Sequence, residues 1–497
     1  MTRLTIEPGA PLRGEIHPPG DKSISHRAAL FAALARGESR VENFLDSGVT
    51  RAMLNCLSAL GVDWHLQHTS LMVRGAAWQT PASPLECGNS ATTLRLLAGG
   101  LAAAGVAAVL DGSPGLRRRP MDRIVQPLRQ IGAPIRASDG GHAPLVLDAR
   151  PAGNRLNGGV LRLDVASAQV KSCLLLAGLA CDSPLTVIEP HCSRDHSERM
   201  LAAMGVGMST ERMEAGWAVT LTPPHLSRSQ GSGVTPPHLS RSQGSGVTPP
   251  HLSRSQGSGV TPPHLSRSQG SGVTPPAGDL RPLNLRIPGD FSAASFWIVA
   301  ALITPGSRLA IRGVGLNPGR TGLLSALLEM GARIEVQPRG EQGGEPLGDL
   351  WVEHSPLRGI EISGERVTAM IDEFPVFSIA AAFAEGVTKV RDALELRYKE
   401  SDRIASLCRL LAALGGQAEA QPQGFIVHGR GGLAGGVVFD PGGDHRMAMA
   451  AAVAGMAARQ AVTIQAAEII RESYPDFVQV LVDLGGQATE KEMSPAA

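Results

Sequence analysis

The stretch GDKSISHRAALFAALAR, residues 20–36, places a helix that is apolar on every side directly after a short polar segment. A surface helix carries its apolar residues in one stripe, whereas a helix that is apolar all round is buried. Five further Ala-rich segments share this character: residues 93–104, 170–180, 292–303, 374–384 and 446–458. We therefore predict six buried helices, built from small side chains that can pack closely.

A second, amphipathic helix accompanies each buried one and ends at an apolar residue followed by glycine. Glycine suits the left-handed conformation with which many helices end. The six junctions are Leu60-Gly61, Ile131-Gly132, Met204-Gly205, Met330-Gly331, Leu414-Gly415 and Leu484-Gly485. Their spacing, roughly 70 residues once an insertion is set aside, predicts six α/β units. Six such units cannot share one core, so we expect two lobes of three units each.

The insertion is TPPHLSRSQGSGV, which occurs four times without a change over residues 222–273. Each copy contains almost nothing to bury, so we expect these 52 residues to be disordered, leaving 445 for the fold. The flanks predict a short turn between two strands, and lengthening such a turn costs only about 2 kcal/mol of closure entropy. Alternatively, the His and Arg of each copy could bind metal or nucleic acid.

The composition of the 497 residues argues against several function classes. Lys and Arg number 46 against 45 Asp and Glu, which gives no sign of a bulk nucleic-acid or membrane binder. No apolar run reaches membrane-spanning length, the first residues lack a signal-peptide pattern, and the six cysteines lack metal-ligand or disulfide-framework spacing. We expect a cytoplasmic monomer that acts on small molecules.

Polar residues cluster in the first turns of the buried helices, where free N–H groups and the helix dipole favour an anion. Ser, Thr, Asp and Asn at such places are usually helix caps, and capping alone would account for them. Capping does not account for Lys22, Arg27, Arg95 and Arg446, whose positive charges oppose the dipole. Cations placed repeatedly at positive helix ends indicate an anionic ligand between them.

Three other clusters have simple structural explanations. The basic loop LRRRP, residues 116–120, could be merely solvated. In RYKESDR, residues 397–403, Lys399 and Arg403 would share one helix face with Glu400 beside them, which is also typical of an exposed, ion-paired helix. His191 and His196 flank Cys192 but make a poor zinc site without a second cysteine pair.

The chain resembles the 5-enolpyruvylshikimate-3-phosphate (EPSP) synthase family in seven ordered motifs: GDKSISHRA, GNSATTLR, LRRRPM, SAQVKS, SRDHSE, RYKESDR and GDHRMAM. The resemblance extends from about residue 5 to residue 485, interrupted only by the insertion. It implies the two-lobed enolpyruvyl transferase fold, an inside-out α/β barrel with three βαβαββ units per lobe. It also implies crossovers near Pro19 and Pro288, so that residues 19–288 form one lobe and residues 1–18 plus 289–497 the other, with the N-terminal strand in the second lobe.

The family moves the enolpyruvyl group of phosphoenolpyruvate to the 5-hydroxyl of shikimate 3-phosphate and releases phosphate. This step leads to chorismate and the aromatic amino acids and needs neither metal nor organic cofactor. By resemblance, the contacts to shikimate 3-phosphate come from Lys22, Ser23, Arg27, Ser167, Ala168, Gln169, Arg194, Asp372 and Lys399. The contacts to phosphoenolpyruvate come from Lys22, Asn89, Ala91, Arg119, Gln169, Arg403 and Arg446.

Asp372 and Glu400 correspond to the acid/base pair, with Lys22 assisting, and either carboxylate could perform either proton transfer. The sequence departs from the family pattern in the last loop. Glu472 stands where many relatives place a lysine that binds phosphoenolpyruvate, and Arg471 could substitute for it.

Two alternatives compete with this interpretation. UDP-N-acetylglucosamine enolpyruvyl transferase has the same fold but uses a Lys-Asn start and a reactive loop cysteine. Here the start is Lys22-Ser23, and residues 108–130 contain no cysteine. The second alternative is a non-catalytic anion-binding or RNA-associated protein that uses the repeats as an interaction arm.

Ala91, Ala168, Lys171 and SRDHSE resemble the glyphosate-tolerant class of the family, and Ala91 stands where glyphosate-sensitive members have glycine. Its methyl group would narrow the pocket for an inhibitor longer than phosphoenolpyruvate. We expect Ala91→Gly to strengthen glyphosate inhibition by about tenfold or more, since accommodating an extra methyl costs about 1–3 kcal/mol. Steady-state inhibition of both proteins measures this, and equally tight inhibition of the two would refute it.

Overall fold

A computed structural model describes residues 2–227 and 280–492. The tandem copies beyond Ser227 lie outside the described residues, so the prediction that they are disordered stays a prediction. The strand before the insertion ends at Thr222, within the first copy, and is followed by one short helical turn.

Up to residue 227 the chain alternates strands and helices. The strands are β1 (Thr2–Glu7), β2 (Arg13–Ile16), β3 (Gly37–Glu42), β4 (Asp63–Gln67), β5 (Ser70–Gly75), β6 (Leu85–Glu86), β7 (Ala108–Asp111), β8 (Ile135–Ser138), β9 (His142–Leu147), β10 (Gly159–Arg162), β11 (Leu185–Glu189), β12 (Gly207–Met213) and β13 (Gly216–Thr222). The helices are α1 (Lys22–Leu34), α2 (Gly48–Ala59), α3 (Ala91–Ala104), α4 (Pro114–Arg117), α5 (Asp122–Gln130), α6 (Ala168–Gly178), α7 (His196–Ala203) and α8 (Pro224–Ser227).

The alternation continues after residue 280. The strands are β14 (Asn284–Arg286), β15 (Arg308–Gly315), β16 (Arg333–Gln342), β17 (Glu345–Glu353), β18 (Glu361–Ile362), β19 (Glu385–Val390), β20 (Gln417–Gln421), β21 (Gly424–Arg430), β22 (Val437–Phe439), β23 (Val462–Ile464) and β24 (Gln487–Glu492). The helices are α9 (Phe291–Ile303), α10 (Gly322–Glu329), α11 (Glu365–Ala369), α12 (Phe374–Phe383), α13 (Arg403–Ala413), α14 (His445–Ala457) and α15 (Phe477–Asp483), with 3₁₀ turns at Leu394–Tyr398 and Ala467–Glu472.

Within the described ranges, the strands form six four-stranded sheets of one design. Each sheet has one parallel pair at an edge and two antiparallel pairs beside it, as in β14-β3-β5-β4. The other five are β6-β7-β9-β8, β10-β11-β13-β12, β16-β17-β15-β2, β18-β19-β21-β20 and β22-β23-β1-β24. The sixfold repetition predicted from the sequence is therefore present in the sheets.

The six glycine junctions end six helices as predicted. The apolar residue of the junction is the C-terminal cap of helices α2, α5, α7, α10, α13 and α15, and the following glycine has a φ between +80° and +94°. A side chain would be strained in that left-handed conformation, which explains why glycine recurs there.

The six predicted buried helices divide between two hydrophobic cores. Helices α1, α3 and α6 lie in one, and α9, α12 and α14 in the other. Small residues allow the helix backbones to approach closely. A Cβ atom added to Gly99 of α3 would lie 2.2 Å from the carbonyl oxygen of Cys173 in α6, so no larger residue fits at that crossing.

The chain passes between the cores at two adjacent segments. Gly20 and Gly289 form a β-bridge, the Asp21 N–H donates to the Pro288 carbonyl (2.9 Å), and the Asp290 N–H donates to the Pro19 carbonyl (2.8 Å). Strands β1 and β2 pair with strands of the second core, and β14 pairs with β3 of the first. In the described ranges no helix has the length and apolar character needed to cross a membrane.

A buried ion triad holds residues 189–198 against α6. The Nζ of Lys171 lies 2.7 Å from carboxylate oxygens of both Glu189 and Glu198 and donates to the Ser193 carbonyl (3.1 Å). Glu189 in turn accepts from the Ser193 N–H (2.9 Å) and hydroxyl (2.6 Å). Burial would lower the pKa of Lys171, but the two glutamates outweigh it and raise that pKa, so the ammonium stays charged.

We expect Lys171→Met to destabilise the fold by about 3–5 kcal/mol, because it leaves two buried carboxylates without their cation. The midpoint of urea unfolding measures the loss. The exposed Lys389 provides the control, and Lys389→Met should change stability by no more than about 0.5 kcal/mol. Equal midpoints for the two variants would contradict the assigned role of the triad.

Candidate active site

A polar cavity of about 340 Å³ lies between the two cores. Twelve of the fifteen site residues predicted from the sequence line it: Lys22, Ser23, Ala91, Arg119, Ser167, Ala168, Gln169, Arg194, Asp372, Lys399, Glu400 and Arg446. Eleven of them come from the seven motifs, each of which contributes at least one, and Asp372 lies outside the motifs; the twelve are spread over more than 400 residues of the chain. The fold therefore gathers the predicted site into one place, with side chains from both cores.

Four buried helices begin at this cavity: α1, α3, α6 and α14. Each is capped by a side chain that accepts a hydrogen bond from a backbone N–H of the helix's first turn. The capping side chains are those of Asp21 (α1), Ser90 (α3), Ser167 (α6) and Asp444 (α14). The capping explanation is thus correct for these residues. The residues that follow the caps line the cavity wall, so four partial positive charges add to the cationic side chains there.

Asp372 lies at the centre of the cations. Its carboxylate contacts the Arg194 guanidinium and accepts from Lys399 Nζ (3.2 Å), and Arg403 Nη1 lies 3.6 Å away. The Arg446 guanidinium donates to the backbone carbonyl of Asp372 (3.0 Å). Burial would raise the pKa of Asp372, but these cations hold it well below its ordinary value, so the carboxylate is ionised.

Glu400 occupies the neighbouring wall and shares Arg403 with Asp372. Arg403 Nη2 donates to its carboxylate (2.6 Å), and Arg119 Nη1 lies 3.6 Å away. Burial would raise the pKa of Glu400, but Arg403 and Arg119 hold it well below its ordinary value. Both proposed acid/base carboxylates are therefore ionised before substrate binds.

Lys22 is the cation whose charge is easiest to remove. Burial and, to a smaller extent, the nearby Arg446 lower its pKa to about 8, although Glu400, Asp290 and Asp372 act in the opposite direction. At neutral pH the ammonium is still protonated. Lys22 can therefore bind an anion and can also give up a proton.

Lys399 and Arg403 do not share a helix face, which corrects the sequence prediction. Lys399 follows the 3₁₀ turn Leu394–Tyr398 in an extended conformation, and α13 begins only at Arg403. The Asp402 carboxylate caps α13 by accepting from the Ala405 N–H (3.1 Å), which fixes this start. Lys399 and Glu400 thus lie in a loop that faces the cavity.

Three predicted residues, Arg27, Asn89 and Arg403, do not line the cavity. Arg27 is buried behind it and donates to the Ser23 carbonyl (2.9 Å) and to hydroxyls of α6 and α7. The Asn89 side chain accepts from Ser113 (3.1 Å). Arg403 lies under the floor, bound to Asp444 (2.9 Å) and Glu400.

Several cavity residues escaped the sequence prediction. Arg95 was noted as a cation at a helix start but was given no role; it holds the Gln169 side chain from behind (2.6 Å). Arg123 binds Glu395 across the cavity (2.8 Å). No sequence signal pairs residues 272 positions apart.

Arg471 does not replace the missing lysine of the last loop. It points away and binds Glu490 at the surface (3.1 Å). Glu472 instead lies within electrostatic reach of Lys22 and Glu400, and burial raises its pKa. A carboxylate, and not a further cation, therefore lies near Lys22 in this last loop.

The histidines beside Cys192 serve other purposes. His191 lines the cavity, and the buried His196 contacts Glu345 (2.8 Å). Across residues 2–227 and 280–492 there is no group of three or more His, Cys, Asp or Glu side chains that could hold a metal ion.

Comparisons with known proteins agree with this geometry. A profile of the family described as EPSP synthase (3-phosphoshikimate 1-carboxyvinyltransferase) matches residues 6–230 and 264–481. The 3-phosphoshikimate 1-carboxyvinyltransferase of Roseiflexus sp. (strain RS-1) is 43% identical over 486 residues, covering 97% of this chain and 99% of the relative. That of Synechococcus sp. (strain RCC307) is 40% identical over 491 residues, with coverages of 97% and 99%.

Solved structures give the same result. EPSP synthase from Acinetobacter baumannii superposes with a TM-score of 0.77 at 33% identity, covering 99% of this chain and all of the other. The enolpyruvyl transferase NikO from Streptomyces tendae shares the fold, with a TM-score of 0.70 at 20% identity and 99% coverage of both chains. The fold and the cationic cavity thus define an enolpyruvyl transferase, and the predicted fold class is confirmed. The chain belongs to the EPSP synthase family, as its seven motifs predicted.

The pKa of Lys22 generates a prediction about pH. Because the ammonium loses its charge as the pH rises through about 8, we expect kcat/KM for the anionic substrates to fall over that range. In Lys22→Arg the guanidinium stays charged, so the decline of the residual activity should move to more alkaline pH. Profiles of kcat/KM against pH for both proteins measure this, and a decline at the same pH in both would exclude Lys22 as its source.

Proposed function

We propose that the cavity between the two cores is the active site at which this chain performs its family's reaction. The enolpyruvyl group of phosphoenolpyruvate passes to the 5-hydroxyl of shikimate 3-phosphate, and phosphate is released. The observation that carries the proposal is the convergence of twelve predicted residues, including both carboxylates, on one cationic cavity. Two multiply charged anions account for a concentration of positive charge that would otherwise repel itself.

Shikimate 3-phosphate would lie against the starts of α1 and α6. Ser23, Ser167 and Gln169 offer hydroxyl and amide groups there, and Arg194 and Lys399 offer positive charges. Arg27 would support this wall by holding the Ser23 carbonyl.

Phosphoenolpyruvate would lie against Arg119 and Arg446, with the start of α3 at Ala91 as the adjoining wall. Lys22 faces both substrate regions. Arg403 would act on this side through Glu400, which it contacts (2.6 Å).

The geometry suggests roles for the two carboxylates. Asp372 lies beside Lys399 and Arg194, on the shikimate 3-phosphate side, and would accept the proton of the 5-hydroxyl as its oxygen adds to C2 of phosphoenolpyruvate. C3 gains a proton in the same step; the Lys22 ammonium, protonated at neutral pH, is placed to supply it, and the ionised Glu400 is placed to accept a proton from C3 in the step that follows. Loss of a proton from C3 and of phosphate from C2 then restores the double bond.

We also propose the lobe boundaries 19–288 and 1–18 plus 289–497, because the two hydrophobic cores separate there. A monomer would suffice, since one chain supplies both walls of the cavity. A cytoplasmic location fits six free cysteines, which are typical of reducing compartments.

The competing functions have less support. The loop of residues 108–130 carries no cysteine for the UDP-N-acetylglucosamine reaction. A non-catalytic anion binder would have no need for two ionised carboxylates among its cations, since they weaken anion binding.

Phosphate release from the two substrates, followed by a coupled assay, tests the proposal. We expect the full chain to be active without added metal, and Asp372→Asn to lower kcat by about a hundredfold or more. The exposed Asp139 gives the control, and Asp139→Asn should keep full activity. A chain lacking residues 222–273 should be equally active, because none of the described residues that line the cavity belongs to the insertion. The proposal would be refuted if neither the full chain nor the shortened chain released phosphate from the two substrates.

A further inference from the structure

Arg320 is a buried arginine that lies behind the cavity and does not line it. It sits in the loop between β15 and α10 and is only 2% exposed. Its Nη2 donates to the carboxylates of Asp21 (3.0 Å) and Asp290 (2.8 Å). One guanidinium nitrogen thus binds the two crossover segments together.

The two aspartates have matching positions in the two cores. Asp21 caps α1 by accepting from the Ile24 N–H (2.9 Å), and Asp290 caps α9 by accepting from the Ser292 N–H (2.7 Å). The second oxygen of Asp290 accepts from the backbone N–H of Lys22 (3.1 Å). The backbone position of Lys22 therefore depends on an aspartate that Arg320 holds.

The other side of the guanidinium faces Asp372. Nη1 of Arg320 lies 3.8 Å from the Asp372 carboxylate, and among the described residues neither Nη1 nor Nε has a hydrogen-bond partner. A buried guanidinium normally uses all its donors, because an unpaired donor costs about 1–3 kcal/mol. Two unpaired donors, one of them directed at Asp372, suggest that the orientation serves the site and not only the fold.

We propose that Arg320 is a positioning residue for enolpyruvyl transfer, which fixes Lys22 and Asp372 relative to each other across the crossover. The inference rests on the proposed function and deepens it, because it explains how two reacting groups from different cores keep one geometry. A guanidinium suits this task, since its rigid fork can bind the crossover aspartates on one nitrogen and face Asp372 with the other.

Kinetics of Arg320→Met and Arg320→Lys test the proposal. We expect Arg320→Met to lower kcat by about tenfold to a hundredfold, because misplacing reacting groups by about 1 Å has an effect of that size. KM for shikimate 3-phosphate should stay within about threefold, since the binding side chains remain. Arg320→Lys keeps the positive charge but not the guanidinium fork, so its kcat should lie between that of the unmodified chain and that of Arg320→Met.

Arg308, an exposed arginine on β15, gives the matched control, and Arg308→Met should keep the kcat of the unmodified chain. Circular dichroism and unfolding midpoints establish that equal amounts of folded protein are compared. Should Arg320→Met not fold, Asp290→Asn provides the second test, because an amide can still cap α9 but no longer attracts Arg320; the same loss of kcat is expected.

An unchanged kcat per folded molecule in either variant, or a loss confined to KM, would overturn the role of Arg320. This failure is distinct from failure of the proposed function. If the proposed function were wrong, the unmodified chain itself would release no phosphate. The test of Arg320 instead compares its variants with an unmodified chain that is active.

Discussion

Like charges held close together in a partly buried space repel one another, and this constraint governs the structure around the cavity. Cationic side chains from both cores meet there at helix ends that are themselves positive. Asp372 and Glu400 offset that repulsion, and Arg403 contacts both of them. The carboxylates that offset the repulsion among these cations are the same ones proposed to move protons, so stability and chemistry depend on one set of contacts.

The fold meets this constraint by bringing many helix starts to one place. Six repeated units bury Ala-rich helices, and four of these, within the described ranges, begin at the cavity. The adjacent crossovers at Gly20 and Gly289 keep the starts of α1 and α9 together. The position of α1 in the first core therefore depends on contacts with the second core. Small residues such as Gly99 make this possible, because they allow the helices to pack closely enough to converge.

Much of this could be predicted from the sequence, because local rules determine it. The glycines after the surface helices, the all-round apolar helices and the misplaced cations are each visible in a short window. The prediction that Lys399 and Arg403 share a helix face was wrong, because the Asp402 cap starts α13 at Arg403, after Lys399. The contacts of Arg123 with Glu395 and of Arg320 with two aspartates join distant segments, and no local pattern reveals them.

The most direct test of the account is a crystal structure of the full chain grown with saturating shikimate 3-phosphate. We expect the ligand between the cores, with its anionic groups within hydrogen-bond distance of Lys22 and of Arg194 or Lys399. A ligand bound elsewhere on the surface, or an empty cavity at a concentration that supports turnover, would contradict the claim that these cations are gathered to hold it.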